Sequence, residues 1–449
     1  MKKLYDGNIK KNFFVFAFPL VLTVLFSQAY NIINTIMAGY LLGDNAISAI
    51  GSTAPFLSLI SSLLWGYGTG FSIYASILFG RGDYAKMFNI IKVNVLFAAL
   101  FAVLVSVLCI NFHEYIFHFL NIESGIWDDS FSYFSIYMGG LVFLLSNWYG
   151  VYISNAIGIT VLPLIASLIT NVLNIAGNYI LIKYFGLGVA GTAIATVFSA
   201  FCVTVFYIIM IVRAFRKMGV RTGGIYFNKD ELYWSWKFSF PTTLQQSIMY
   251  LCSALTSPLT NLCGASAIAG YTVGMRLYDL NAGIYQNANK TVSNYIAQCV
   301  GAGKHSMIKK GIQTGTIQTS LFLLPFLAVT VFGAGMISRL FLDSPESLHY
   351  SEVFMRYCMP FVVFNVANNL FHAIFRSTGA GGYLVTSTVI YSVSRFGFSY
   401  LLFQKFGMYG IYGGIVLSWI TEAIFGLIVY LSGKWKTDEY RIKEKNGAV

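Results

Sequence analysis

Apolar and polar positions alternate along this chain on the scale of whole helices. Stretches without Asp, Glu, Lys or Arg run from Asn12 to Gly43, from Asn45 to Gly80 and from Ser130 to Ile182. Each exceeds the roughly 20 apolar residues that cross a bilayer as a helix. The runs are continuous, not alternating at period two, and lipid admits only helices or closed barrels, so helices are expected. The pattern predicts spans near 13–37, 47–78, 93–112, 131–153, 159–182, 189–212, 238–261, 268–296, 312–333, 353–375, 383–404 and 410–432. The first run is too long for a signal-peptide core and has no small-residue cleavage site, so it is expected to be retained.

Composition agrees. The chain is 57% hydrophobic and only 10% charged, against roughly 25% charged residues in soluble domains. With the N-terminus inside, 22 basic residues fall on the cytoplasmic side and 3 (Lys183, Arg339, Lys405) on the other. The positive-inside rule then places both termini in the cytoplasm and the protein in a plasma membrane, expected to be a bacterial inner membrane. The net charge of +12 reflects this topology and lipid contact, so no nucleic-acid partner is expected. Loops are short, and no GxxxxGK[ST] sequence is present to hold a nucleotide. An ion gradient is the expected energy source, and a single copy the expected working unit. The six cysteines show no disulfide or zinc spacing. Neither HExxH nor GxSxG occurs, so no catalytic residues, metal or organic cofactor are expected, only a coupling ion, H⁺ or Na⁺.

The two halves repeat at an offset of about 221 residues. Phe16 to Pro19 aligns with Phe238 to Pro241, Gly80-Arg-Gly82 with Gly301-Ala-Gly303, Asn155-x-x-Gly158 with Arg376-x-x-Gly379, and Phe185-Gly186 with Phe406-Gly407. The fold class is therefore an all-α membrane protein with twelve transmembrane helices in two six-helix lobes. The expected division is 1–213, a connecting loop 214–237, a second lobe 238–433 and a tail 434–449. Repeats of this kind typify secondary transporters that bind a small molecule near the membrane midplane.

Ionisable residues inside spans mark function, because burying them is costly. Arg276, Asp279, Asn287, Lys290 and Asn294 share one face of span 8 at helical spacing. The stripe lines a cavity, or Arg276 and Asp279 form a structural pair. Span 10 carries Asn365, Asn368, Asn369, His372 and Arg376. Span 5 carries Asn171, Asn174 and Asn178, and span 1 carries Gln28, Asn31 and Asn34. These amides line a substrate path or bond between helices. Arg395 and Glu422 are isolated charges expected to pair with each other or with span 8.

Asn34-Thr-Ile-Met-Ala-Gly39, then Leu42-Gly43 and Ala46-Ile-Ser-Ala-Ile-Gly51, resembles the first signature of the multidrug and toxic compound extrusion family. Gly80-Arg-Gly82-Asp83 and Arg376-Ser-Thr-Gly379 resemble it too. The resemblance covers nearly the whole chain. It implies alternating access and export of organic cations or other amphipathic compounds in exchange for Na⁺ or H⁺. It also implies that Pro19 matches a helix-bending proline. The departures are specific. Asn34 and Asn178 stand where the family usually has Asp, and Gln245-Gln246 where some members have Glu. The first lobe therefore has no membrane carboxylate, leaving Asp279 and Glu422 as candidate coupling residues. The alternative is a flippase of the same superfamily for lipid-linked saccharides, whose anionic substrates would meet Arg276, Lys290 and Arg395.

Overall fold

The computed structural model describes residues 3–42, 44–220 and 223–436. Among these, twelve long helical segments follow one another in the expected order. Spans 1 to 6 are Ile9–Leu42, Asp44–Arg81, Tyr84–Asn111, the pair Trp127–Gly139 and Leu141–Ala156, Val161–Lys183 and Gly188–Lys217. Spans 7 to 12 are Lys229–Asn261, Ala265–Ala302, Ile308–Phe332, the interrupted stretch Pro345–Ser377, Gly381–Phe406 and Met408–Ser432. Eight are long and apolar enough to cross a membrane, and the bent pair of span 4 makes a ninth. The three outside that group are spans 7, 8 and 11. Spans 8 and 11 carry Arg276, Asp279, Lys290 and Arg395, which depress their apolarity.

Departures from regular helix have local causes. Span 4 turns by 52° between its two pieces. Gly140 sits at that break, where a Cβ would stand 2.2 Å from a Val197 methyl, so the turn also permits a close helix contact. Span 10 opens as Pro345–Val353, passes through a wide turn at Phe354–Cys358 and a tight one at Met359–Phe361, and resumes at Val362. Pro360 lies in the tight turn; without an N–H it cannot continue the ladder. Pro19 is buried well inside span 1 rather than in its first turn, so the Val15 carbonyl loses its helical partner.

The chain forms two compact units. One holds Leu22–Trp236; the other combines the first turns of the chain, up to Val21, with everything from Lys237 onward. In the second unit Phe13, Phe16 and Leu20 pack with Val292, Tyr295, Ile296 and Phe375 in one apolar cluster. The Leu4 N–H donates to Gln298 Oε1 at 2.9 Å, fixing the chain start to span 8.

Candidate functional site

In the first unit the predicted amides meet in a neutral cage. Asn178 Nδ2 donates to Asn34 Oδ1 at 2.8 Å and to Asn174 Oδ1 at 2.9 Å. Tyr30 donates to the same Asn174 oxygen at 2.6 Å, and Asn174 Nδ2 to Thr196 Oγ1 at 3.0 Å. Asn174 and Asn178 are buried. Asn178 Oδ1 accepts no bond among the described residues. Spans 1, 5 and 6 are thus joined by amides and hydroxyls alone. Asn171 reaches the Phe26 carbonyl only at 3.5 Å, a marginal length. Gln28 is half-buried and makes no hydrogen bond among the described residues. The side chain of Asn31 lies outside the described residues.

The second unit holds the charged arrangement. His372 Nε2 stands 2.9 Å from Glu422 Oε1, and Ser387 Oγ donates to the same oxygen at 3.0 Å. Gln245 Nε2 stands 2.9 Å from His372 Nδ1, and Arg376 Nη2 donates to Gln245 Oε1 at 2.9 Å. Spans 7, 10, 11 and 12 each contribute a member, and Gln245, His372, Ser387 and Glu422 are all buried.

The donor inventory orients this chain of bonds. A guanidinium only donates, so it holds the Gln245 oxygen toward itself and the amide nitrogen toward His372. Nδ1 then accepts, the ring proton sits on Nε2, and Nε2 donates to Glu422. The result is polarised from a cation at Arg376 to an anion at Glu422.

Of the two partners expected for Arg395, Glu422 and span 8, the structure does not pair it with Glu422, while span 8 reaches it through Tyr271. Arg395 Nη1 donates to Tyr391 OH at 2.5 Å and lies 5.8 Å from that ring's centre, along its own helix. Glu422 is enclosed by His372 and Ser387 instead. Arg276 and Asp279 are both exposed and form no ion pair among the described residues. Lys290 Nζ donates to Asn287 Oδ1 at 2.9 Å, and Asn369 accepts from Asn289 at 3.1 Å. Arg356 pairs with Glu352, one turn away, at 3.4 Å. Sequence reasoning missed Ser387 and the linking role of Gln245. The signal for Gln245 was its place where some family members carry Glu; Ser387 had none.

Comparison with known proteins fits this fold. The MatE family model matches residues 19–180 and 241–401, starting at Pro19 and Pro241, the two residues that close the first aligned motif of the internal repeat. Multidrug export protein MepA of Staphylococcus saprophyticus is 24% identical over 427 residues, covering 95% of this chain and 94% of that protein. The probable multidrug resistance protein YpnP of Bacillus subtilis is 24% identical over 452 residues, covering 97% and 98%. A mutant of the Vibrio cholerae MATE transporter VcmN superposes with a TM-score of 0.89 at 17% identity, covering 96% of this chain and 98% of that one. At that identity the structural likeness concerns the fold.

Proposed function

The chain belongs to the MatE family, and on that premise we propose that it exports amphipathic compounds by alternating access, in antiport with protons taken up at the His372–Glu422 pair. The relatives named above as multidrug exporters support the transport half of this reading. The coupling half rests on one observation. Glu422 is 3% exposed and bonded by His372 and Ser387, whereas the amide cage of the first unit offers no carboxylate and no imidazole.

Buried carboxylates hold an ionised state only when donors compensate it. His372 and Ser387 supply two. A proton arriving on Glu422 removes the charge, and the His372 N–H then loses its anionic acceptor. The bonds to Gln245 and Arg376 depend on the same imidazole tautomer, so protonation reaches four helices at once. Sodium fits this place poorly. It prefers a shell of several oxygens, and His372 turns a ring nitrogen rather than an oxygen toward Glu422. Asp279, exposed on span 8 and in no ion pair among the described residues, is the second candidate.

The test uses purified protein in proteoliposomes loaded with a fluorescent amphipathic dye, with H⁺ and Na⁺ gradients imposed separately. Dye movement driven by the proton gradient, abolished by Glu422→Gln and kept by Asp279→Asn, is the expected result. Movement driven by Na⁺ alone, or undiminished in Glu422→Gln, overturns the coupling assignment.

A further inference from the structure

We propose that the second unit binds its substrate through an acidic group, carboxylate, sulfonate or phosphate, held by Lys290. This names a substrate class for the transport reading above and rests on it. Lys290 lies in the interior of span 8, half-buried, on the stripe it shares with Asn287 and Asn294. Its ammonium has three donors. The one hydrogen bond it makes among the described residues goes to a neutral amide, Asn287 Oδ1, at 2.9 Å.

Among the described residues, no carboxylate forms an ion pair with it. Glu422 is committed to His372 and Ser387. Asp279 sits eleven residues earlier on the same helix, about 16 Å along the axis at 1.5 Å per residue. The charged side chain that acts on Lys290 electrostatically is Arg376, a second cation. A half-buried ammonium that feels a guanidinium, with no carboxylate paired to it among the described residues, is unfavourable unless an anion completes it. Asn287 is held facing the ammonium by its own Nδ2 bond to the Gly283 carbonyl, at 2.8 Å. Its fixed oxygen leaves the other two donors of Lys290 for an incoming group.

An organic cation would meet the opposite field. Along span 8 the basic residues are Arg276 and Lys290, and the one acid is the exposed Asp279. The shared recognition chemistry, an acid on an apolar body, belongs both to soluble organic anions and to anionic phospholipid. The experiment separates the two.

Equilibrium binding is measured by fluorescence anisotropy on the full chain in detergent, with two xanthene dyes of similar ring system, acidic fluorescein and cationic rhodamine 6G. Lys290→Met is expected to weaken fluorescein at least about tenfold, the usual scale for removing one member of a desolvated charge pair. Lys290→Arg keeps most of that affinity and serves as the folding control. Rhodamine 6G binding does not fall in Lys290→Met. Displacement of fluorescein by phosphatidylglycerol, and not by phosphatidylcholine, assigns the site to an anionic lipid; no displacement by either assigns it to a soluble anion. Fluorescein affinity unchanged in Lys290→Met, or binding of rhodamine 6G alone, overturns the proposal. Binding needs no gradient, so this result stands apart from whether the proteoliposomes transport.

Discussion

His372 Nε2 and Glu422 Oε1 meet at 2.9 Å, linking span 10 to span 12 inside the second unit. Both are buried, so neither has water to replace the other. Removing one partner of such a pair costs about 3–5 kcal/mol, more than removing both, because the survivor is left polar and unmatched. His372→Leu is therefore expected to lower the thermal unfolding midpoint sharply. The double variant His372→Leu/Glu422→Leu should recover part of that loss. A double variant that loses the sum of both singles would show that the pair contributes no coupling energy.

The amide cage of the first unit gives a complementary prediction. Asn178 Nδ2 donates to two oxygens, those of Asn34 and Asn174. Asn178→Asp places a carboxylate oxygen against them, losing two buried hydrogen bonds and adding repulsion, at about 2–3 kcal/mol. Protonation restores one donor, and Na⁺ bridges the oxygens. The variant should be less stable than the parent at pH 8 in choline chloride. It should regain stability either as pH falls, since the folded state favours the protonated acid, or on replacing choline with Na⁺. Unfolding curves insensitive to both conditions would argue that the cage is looser than the distances imply.

Packing between spans 11 and 12 is the tightest test of the fold. A Cβ on Gly414 would stand 2.3 Å from Ser399 Oγ and 2.5 Å from its backbone nitrogen, and backbone cannot turn aside. On Gly413, one residue away, a Cβ would meet only a Leu402 methyl at 3.2 Å. Gly414→Ala is expected to cost about 1–3 kcal/mol as overpacking, while Gly413→Ala stays close to the parent. Equal melting behaviour of the two would contradict the helix register.

How far the sequence reached depends on which property was asked of it. Spans, their order and the repeat follow from the length of apolar runs, and length is a one-dimensional quantity. The amides of spans 1 and 5 were legible as a cluster because helical spacing put Asn174 and Asn178 on one face. What failed was partnership between helices. Glu422 and Arg395 stand out as lone charges in sequence, yet the rotation of span 12 turns Glu422 to His372, and Arg395 finds Tyr391 one turn up its own helix. Rotation is set by packing of glycines and aromatics around the full circumference, which periodicity alone does not rank. The interruption of span 10 at Phe354–Phe361 was equally hidden, because Pro360 alone does not reveal how many residues leave the α-helical path.

Orientation in the membrane is testable with three exposed lysines. Lys183 and Lys405 end spans 5 and 11, and Lys217 ends span 6. The basic-residue count assigns Lys183 and Lys405 to the outer face and Lys217 to the cytoplasmic one. Each is replaced by cysteine in a background whose six native cysteines are changed to serine or alanine. A membrane-impermeant maleimide applied to intact cells should label Lys183→Cys and Lys405→Cys, and should reach Lys217→Cys only after lysis. The first and second lie one in each half, so agreement between them also tests whether the halves share one orientation, as a repeat with six spans per copy requires. Labelling of Lys183→Cys but not Lys405→Cys would break the parallel repeat. Labelling of Lys217→Cys alone would invert the whole assignment, and with it the direction in which protons reach Glu422.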